Sequence, residues 1–166
     1  NFLFNISIKE NIRMGNPCAT DEEVLAAAKA ARCDEFISKM EYGYDTLVGD
    51  AGGKLSGGER QRITIARAIL KPADVVILDE ASAYADPENE VYIEEAINEL
   101  VNGKTLIVVA HRLETIENSD KIVVVDQGKI VAEGTQNELL ESCSLYKRLW
   151  NETILTSERK RGDCNA

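Results

Sequence analysis

The stretch LSGGERQR, residues 55–62, marks the junction between a glycine-rich loop and a helical pattern. Ser56 can cap the helix that follows, and Glu59, three places later, can reach back to the cap, which makes a capping box. Gly57 and Gly58 leave the first backbone N–H groups without side-chain cover, and such a helix end binds phosphate groups. An ordinary capped helix has the same pattern, so the stretch alone leaves both interpretations open.

Strand and helix patterns alternate after this junction. The helix that begins at Ser56 is predicted to end before Lys71-Pro72, because a residue before proline avoids helical geometry. Residues 75–78, VVIL, are typical of a strand buried on both faces, and residues 105–110 predict a second such strand. A helix between Asp86-Pro87 and Asn102-Gly103 connects them. Two strand–helix units in succession predict an α/β fold with a parallel sheet.

The flanking segments carry weaker patterns, which are assigned from caps, turns and spacing. Thr20 and Glu23 repeat the capping-box pattern before a helix predicted over 21–33, and a second helix is predicted over 34–40. The other predictions are a mixed lead-in over 1–17, a hairpin over 122–131, a final helix from the cap at Thr135 and Glu138 to about Trp150, and a frayed polar end over 156–166.

Composition limits the class of function. The chain has 166 residues, 44% of them hydrophobic, which fits about one globular domain. The net charge of -10 argues against a nucleic-acid partner, which needs a basic surface. The four cysteines form no C-x-x-C pair and there is one histidine, so neither zinc nor a disulfide framework is indicated, and a reducing cytosolic setting fits. No apolar run approaches the roughly 20 residues needed to span a bilayer.

Polar residues follow both predicted strands. Asp79 and Glu80 come directly after the first strand and His111 after the second, and ligands gather at the carboxyl ends of parallel strands. Asp79 suits a Mg²⁺ contact, Glu80 could orient an attacking water, and His111 could sense a γ-phosphate. The alternatives are two acids that begin a solvated loop and a structural histidine at a strand end.

Together these groups are the parts that phosphoryl transfer to water requires. One part is missing from residues 1–166, which contain no G-x-x-x-x-G-K-[ST] loop to hold the β- and γ-phosphates.

Four stretches give the chain a close resemblance to the ATP-binding domain of ABC transporters, over roughly residues 1–150: LSGGERQR, VVILDEAS, ADPENE and TLIVVAHR. The resemblance implies a partial P-loop NTPase (RecA-like) parallel sheet with helices, plus the α-helical subdomain of this family. The implied divisions are a post-Q-loop segment (1–17), the helical subdomain (18–54), the signature helix, Walker B and switch-histidine part of the core (55–150), and a polar C-terminal tail (151–166). The Q-loop glutamine and the Walker A loop would lie upstream of Asn1.

The resemblance also implies a role for each motif residue. The signature motif, which contacts the γ-phosphate of ATP held by the opposite subunit, is matched by Leu55, Ser56, Gly57, Gly58 and Glu59. On the subunit's own ATP, Asp79 matches the Walker B acid near Mg²⁺, Glu80 the general base and His111 the switch histidine. Asp86 matches the D-loop aspartate that communicates across the dimer, although Ala83-Tyr84-Ala85-Asp86 departs from the usual Ser-Ala-Leu-Asp.

Two further segments, NFLFNISIKENI and TLVGDAGGKLSGG, resemble export-type members of the family. In that subtype Phe2, Leu3 and Phe4 would contribute to a groove for transmembrane coupling helices, and the alternative for these residues is core packing.

The implied function is that of an ATPase domain at the cytoplasmic face of a membrane, which drives export through head-to-tail dimerisation. Its partners would be a second nucleotide-binding domain, identical or not, and the coupling helices of a transmembrane domain, with ATP and Mg²⁺ as cofactors. The chain itself is expected to be soluble and, without a Walker A loop, inactive alone. The alternatives are a soluble ABC ATPase in translation or DNA repair, and a non-catalytic fragment that supplies only the signature surface.

Overall fold

The computed structural model describes residues 2–79, 87–110 and 113–162. Its helices are α1 (Ile8–Arg13), α2 (Asp21–Ala30), α3 (Asp34–Ile37), α4 (Gly57–Leu70), α5 (Pro87–Val101), α6 (Gln136–Ser142) and α7 (Ser144–Gly162). Its strands are β1 (Val75–Asp79), β2 (Thr105–Val109), β3 (Ile122–Asp126) and β4 (Lys129–Gly134). Short 3₁₀ turns lie at Gly43–Asp45, Asp50–Gly52 and Leu113–Ile116. The chain divides into two compact units, Asn1–Ile107 and Val108–Ala166.

The core of the first unit forms around α4, which packs against α1, α2 and α5. Every third or fourth residue of α4 faces inward, and Ile63 and Ala66 are completely buried. The fully buried residues that surround them come from several segments, namely Leu3, Ile8, Ile12, Val24, Ala28, Cys33 and Val48. Helix α4, which begins within the stretch LSGGERQR, therefore packs on several sides against the rest of the unit.

Helix α1 is the element that the sequence patterns did not predict within the lead-in. Ser7 caps it by accepting a hydrogen bond from the Glu10 N–H at 3.2 Å, and Ile8 and Ile12 face the core at helical spacing. The helix has six residues, which is too short for a periodicity argument to identify it. Helix α3 is shorter than the predicted range 34–40 and ends at Ile37.

Strands β1 and β2 pair as a parallel two-stranded sheet, and the Thr105 N–H donates to the Asp74 carbonyl oxygen at 2.9 Å. The prediction that both strands are buried on both faces is wrong for this structure. Val75 and Ile77 are 51% and 67% exposed, and every residue of β2 is exposed. Burial of both faces needs a layer on each side, and in the described part of the chain Val76 packs on the helical core while its neighbours face outward.

The second unit is a hairpin with helices packed on it. Strands β3 and β4 pair antiparallel, with an irregularity between Val124 and Val125. Gln127 and Gly128 both have positive φ angles, which a two-residue turn needs if its twist is to match that of the two strands. The predicted hairpin is therefore confirmed. Ile122 and Val124 pack with Leu139 and Tyr146 to form the core of this unit.

The end of the chain differs from the prediction. Thr135 and Glu138 form the predicted capping box, but α6 ends at Ser142, where Cys143 takes an extended conformation, and α7 then runs to Gly162. The expected fraying from residue 156 is therefore wrong as far as residue 162. Residues 158–161, ERKR, are strong helix formers, and their intrinsic preference continues the helix.

Candidate functional site

The N-terminus of α4 has the geometry that the sequence predicted. Ser56 is extended, its hydroxyl oxygen accepts from the Glu59 N–H at 3.2 Å, and the Ser56 N–H donates to Glu59 Oε2 at 2.7 Å. Both hydrogen bonds of the capping box are thus present. The Glu59 carboxylate is occupied in holding the cap, because one of its oxygens accepts the Ser56 N–H.

The two glycines stand in the first turn of this helix. First-turn N–H groups have no acceptor within a helix, and the cap satisfies that of Glu59 but supplies no acceptor for those of Gly57 and Gly58 among the described residues. Ser56 and Gly57 are exposed, whereas Gly58 is buried. The helix end therefore presents a hydroxyl and an amide to the surface at the positive end of the helix dipole, which favours an anion.

Arg60 positions the loop that leads into this helix. Its Nη1 donates to the Leu55 carbonyl oxygen at 2.7 Å and to the Gly52 carbonyl oxygen at 3.3 Å. Gly52 has a φ of +76°, and a Cβ there would lie 2.8 Å from Arg60 Cδ. Leu55 itself is buried. Sequence reasoning did not single out Arg60, because its acceptors are backbone atoms that no side-chain pattern reveals.

Of the predicted acids and the histidine, Asp79 is the described one. It ends β1 and is exposed at the carboxyl edge of the sheet, as predicted. The positions of Glu80, Asp86 and His111 lie outside the described residues, so their assembly with Asp79 stays a prediction. Within the described ranges, no group of three or more His, Cys, Asp or Glu side chains could hold a metal ion.

The two segments that resemble export-type members, residues 1–12 and 46–58, are hydrogen-bonded to each other. Ser7 forms a β-bridge with Leu47, the Val48 N–H donates to the Ile6 carbonyl oxygen at 3.2 Å, and Asn5 Nδ2 donates to Asp50 Oδ1 at 3.0 Å. Four large apolar side chains on these segments are exposed, and we call them the N-terminal apolar surface: Phe2, Phe4, Ile6 and Leu47.

Phe2, Leu3 and Phe4 differ in burial, which bears on the two predictions made for them, a coupling groove and core packing. Phe2 and Phe4 are 61% and 44% exposed and form an edge-to-face pair with 5.0 Å between ring centroids. Leu3 is completely buried in the core. Core packing is therefore correct for Leu3, while Phe2 and Phe4 are exposed and their predicted role in a groove stays a prediction.

Arg62, the last residue of the stretch LSGGERQR, is buried between helices. Its guanidinium carbon lies 5.0 Å from the Phe36 ring centroid and 5.2 Å from that of Tyr92, on α3 and α5. The nearby Cys33 thiol is also buried, and the loss of solvation raises its pKa to about 12. These contacts fix α4 between its neighbours, a role that its sequence position did not reveal.

Comparisons with known proteins identify the family and the fold. The family model described as ABC transporter matches residues 1–83. The uncharacterized ABC transporter ATP-binding protein y4gM of Sinorhizobium fredii is 47% identical over 156 residues, which are 94% of this chain and 27% of that protein. The putative multidrug export ATP-binding/permease protein YgaD of Bacillus subtilis is 52% identical over 149 residues, which are 90% of this chain and 26% of that protein.

A solved structure of a bacterial Atm1-family ABC exporter with ATP bound has a TM-score of 0.80 and 41% identity, over 92% of this chain and 27% of that one. This chain belongs to the ABC transporter family. The expected α/β fold of an ABC ATPase is confirmed by that structural match. The chain spans 26–27% of the length of the two relatives described above. Among the described helices, none is long and apolar enough to cross a membrane.

Proposed function

We propose that this chain is part of the ATP-binding domain of an export-type ABC transporter, in which ATP hydrolysis by a head-to-tail dimer drives a substrate across a membrane. The observation that carries the proposal is the exposed start of the 14-residue helix α4, with its capped Ser56 and first-turn glycine amides. Export is supported by the similarity to a putative multidrug export protein and to an Atm1-family exporter.

The signature residues act on the partner's nucleotide in this proposal. The Ser56 hydroxyl and the Gly57 amide would face the γ-phosphate of an ATP held by the second nucleotide-binding domain, where the helix dipole favours negative charge. Glu59 would hold Ser56 in place rather than meet the phosphate, since its carboxylate is bound to the Ser56 N–H and would repel an anion. Leu55 and Gly58, both buried, would shape the turn.

The residues at the carboxyl edge of the sheet act on the subunit's own nucleotide in this proposal. The exposed Asp79 carboxylate suits a Mg²⁺ contact, direct or through water, because Mg²⁺ prefers carboxylate and water oxygens. When bound, Mg²⁺ would neutralise phosphate charge. Glu80 would orient and deprotonate the attacking water, and His111 would sense the γ-phosphate. Asp86 would communicate between the two sites across the dimer.

In this proposal a coupling helix of the transmembrane domain binds the N-terminal apolar surface. Exposed aromatic and aliphatic side chains on two hydrogen-bonded segments suit the apolar face of a short coupling helix at the cytoplasmic side of a membrane. Leu3 takes no part, because it is buried in the core.

Substitution of Ser56 tests the signature role. In the full-length protein, Ser56→Arg should abolish ATPase activity, because a long charged side chain would fill the position of the γ-phosphate. Thr20→Arg is the matched control, since Thr20 caps α2 with the same box geometry and has no assigned nucleotide contact. Normal turnover in Ser56→Arg would remove the signature role.

Substitution of Glu80 tests the chemical step separately. Glu80→Gln should permit ATP-driven dimer closure while slowing hydrolysis by about a hundredfold or more, because an amide cannot accept the proton from water. Turnover near the wild-type rate would show that another group is the base.

Two measurements separate the alternative functions. Calorimetry of the 166-residue chain with MgATP should show no saturable binding at millimolar concentration, because residues 1–166 contain no phosphate-binding lysine loop. Tight stoichiometric binding would contradict this. Full-length protein that fractionates with membranes supports the exporter, whereas a full-length protein without apolar spans would favour a soluble ABC ATPase in translation or DNA repair.

A further inference from the structure

The last turns of helix α4 are hydrogen-bonded to the segment that carries the exposed aromatic pair. Arg67 Nη1 donates to the Phe2 carbonyl oxygen at 3.1 Å, and its Nε donates to the Asn11 carbonyl oxygen at 2.9 Å. Arg67 Nη2 donates to Asn11 Oδ1 at 3.0 Å. One guanidinium thus binds three acceptors, and its planar fork holds them in a defined orientation.

The side chain of Asn11 extends this hydrogen-bond network to the backbone of Phe4 and Ser7. Its side chain is completely buried, its Oδ1 accepts from the Phe4 N–H at 3.0 Å, and its Nδ2 donates to the Phe4 carbonyl oxygen at 2.9 Å. Nδ2 also donates to the carbonyl oxygen of Ser7 at 3.0 Å. The backbone of Phe4 is therefore held at both of its polar groups by one amide, while its ring remains exposed.

The network lies where the backbones of α1 and α4 almost touch. A Cβ on Gly15, just after α1, would lie 2.1 Å from the Arg67 carbonyl oxygen. Asn11 is buried and its hydrogen bonds with Arg67 are partly buried, so loss of either residue leaves polar groups of the other unpaired in a partly desolvated site. Movement of Phe2 and Phe4 relative to α4 would break several of these hydrogen bonds together.

We propose that Arg67 and Asn11 are positioning residues that transmit force between the N-terminal apolar surface and the signature helix α4. The inference rests on the proposed function, which places a transmembrane coupling helix on that surface and the partner's ATP at Ser56. Arg67 is eleven residues beyond Ser56, about 16 Å along the same helix. In this proposal α4 moves as a rigid body. The phosphate contact lies at its N-terminus, and the hydrogen bonds from Arg67 to the aromatic segment lie near its C-terminus.

The test compares amide hydrogen exchange with and without MgATP in the full-length protein, in a Glu80→Gln background that retains nucleotide. In the parent, MgATP should slow exchange both in α4 and in residues 2–7. Arg67→Met should retain the MgATP effect in α4 and lose it in residues 2–7. Without nucleotide, it should also speed exchange in residues 2–7 by about tenfold, because charge-assisted hydrogen bonds to that segment are lost.

Two further variants make the result decisive. Arg13→Met is the matched control, because Arg13 lies on α1 and pairs with Glu10 and Asp21, without a contact to residues 2–7 among the described hydrogen bonds. It should retain both MgATP effects. Arg67→Lys, which keeps the charge but not the fork, should give a partial loss, and it replaces Arg67→Met if that variant does not fold.

The outcomes distinguish this inference from the function on which it rests. If MgATP still protects residues 2–7 in the Arg67 variants as it does in the parent, the positioning role is wrong and Arg67 is merely structural. If MgATP fails to protect α4 in the parent itself, the proposed ATP-driven closure fails first, and the inference falls with it.

Discussion

The guanidinium of Arg62 stacks over the ring of Phe36, with 5.0 Å between the guanidinium carbon and the ring centroid. Tyr92 lies at 5.2 Å from the same carbon, and Glu35 Oε2 lies 3.9 Å from Nη1, beyond hydrogen-bond distance. Within the described residues, Arg62 Nε and Nη1 are buried without a hydrogen-bond acceptor. Arg62 is therefore held by packing and by the ring faces rather than by a satisfied ion pair.

This arrangement predicts that the volume of Arg62 matters more than its charge. Arg62→Ala should lower the free energy of unfolding by about 2–4 kcal/mol, because it leaves a cavity between three helices. Arg62→Met should change it by less than about 1 kcal/mol, because the lost cation–π contacts are offset by the removal of buried unpaired donors.

Urea unfolding of the 166-residue chain measures both effects of the Arg62 substitutions. Arg148→Ala, at an exposed site on α7, is the control and should be neutral. Equal destabilisation by Met and Ala at position 62 would show that the charge itself is required.

The capping boxes of α2 and α4 allow an effect on stability to be separated from an effect on activity. Ser56→Ala and Thr20→Ala should each lower the free energy of unfolding by about 1 kcal/mol, because both remove a side-chain oxygen that accepts the N–H three residues later. In ATPase assays of the full-length protein, Ser56→Ala should reduce turnover and Thr20→Ala should not. Equal losses of activity would indicate that the effect of Ser56 arises through folding alone.

Gly15 tests the close approach of α1 and α4. Gly15→Ala should destabilise the chain by about 1–3 kcal/mol, because the new Cβ would overlap a backbone oxygen that cannot rotate away. Gly53→Ala is the control, since Gly53 has a right-handed helical conformation and its Cβ would lie 3.2 Å from the Asp50 carbonyl oxygen. Thermal unfolding measures both, and equal shifts in Tm would contradict the contact at Arg67.

Two cysteines should differ sharply in reactivity. At pH 8, iodoacetamide should modify the exposed Cys18 and leave Cys33 unmodified, as followed by mass spectrometry of the peptides. Burial excludes the reagent from Cys33 and raises the pKa of its thiol to about 12, so the reactive thiolate is scarce. In urea both should react, and equal labelling of the folded protein would show that α2 and α3 open readily.

Glu138 should contribute a pH-dependent part of the stability. The Thr135 N–H and hydroxyl hold the pKa of the Glu138 carboxyl below its ordinary value of 4.5. Because the folded pKa is lowered, the stabilisation is complete above the unfolded pKa and is lost as the pH falls through the folded value. Glu138→Gln should flatten the decrease in Tm between pH 6 and pH 3.5.

Glu141→Gln, on the same helix, is the control for Glu138, because Glu141 is exposed and lies outside the capping box. It should leave the pH dependence of Tm close to that of the parent. An equally flattened curve in both variants would show that the cap is not its source.

The correct sequence predictions concern short-range structure. The capping boxes at Thr20, Ser56 and Thr135 each join residues three apart, so the local sequence contains both partners. Helix α4 and the hairpin turn follow from periodicity and turn residues for the same reason. The acids and histidine behind the predicted chemistry were assigned from their places after predicted strands and from the family motifs, and of these the structure describes Asp79.

The wrong or missing predictions depend on what each element packs against. An apolar run such as VVIL predicts a strand, but the number of layers that cover it is a property of the assembled chain, and Ile77 is 67% exposed. Arg67 reaches Asn11 across 56 residues of sequence, and no local pattern records that pairing.

The sequence by itself therefore determined the family, the capped helix α4 and the order of the strands, because these depend on motifs and on neighbours within a few residues. The tertiary structure alone decided that Leu3 is buried while Phe2 and Phe4 are exposed, and that Arg62 lies between two rings. It also placed Arg67 on the backbone of the aromatic segment. Burial and long-range hydrogen bonds exist only after distant segments have packed together, which is why no single stretch of sequence specifies them.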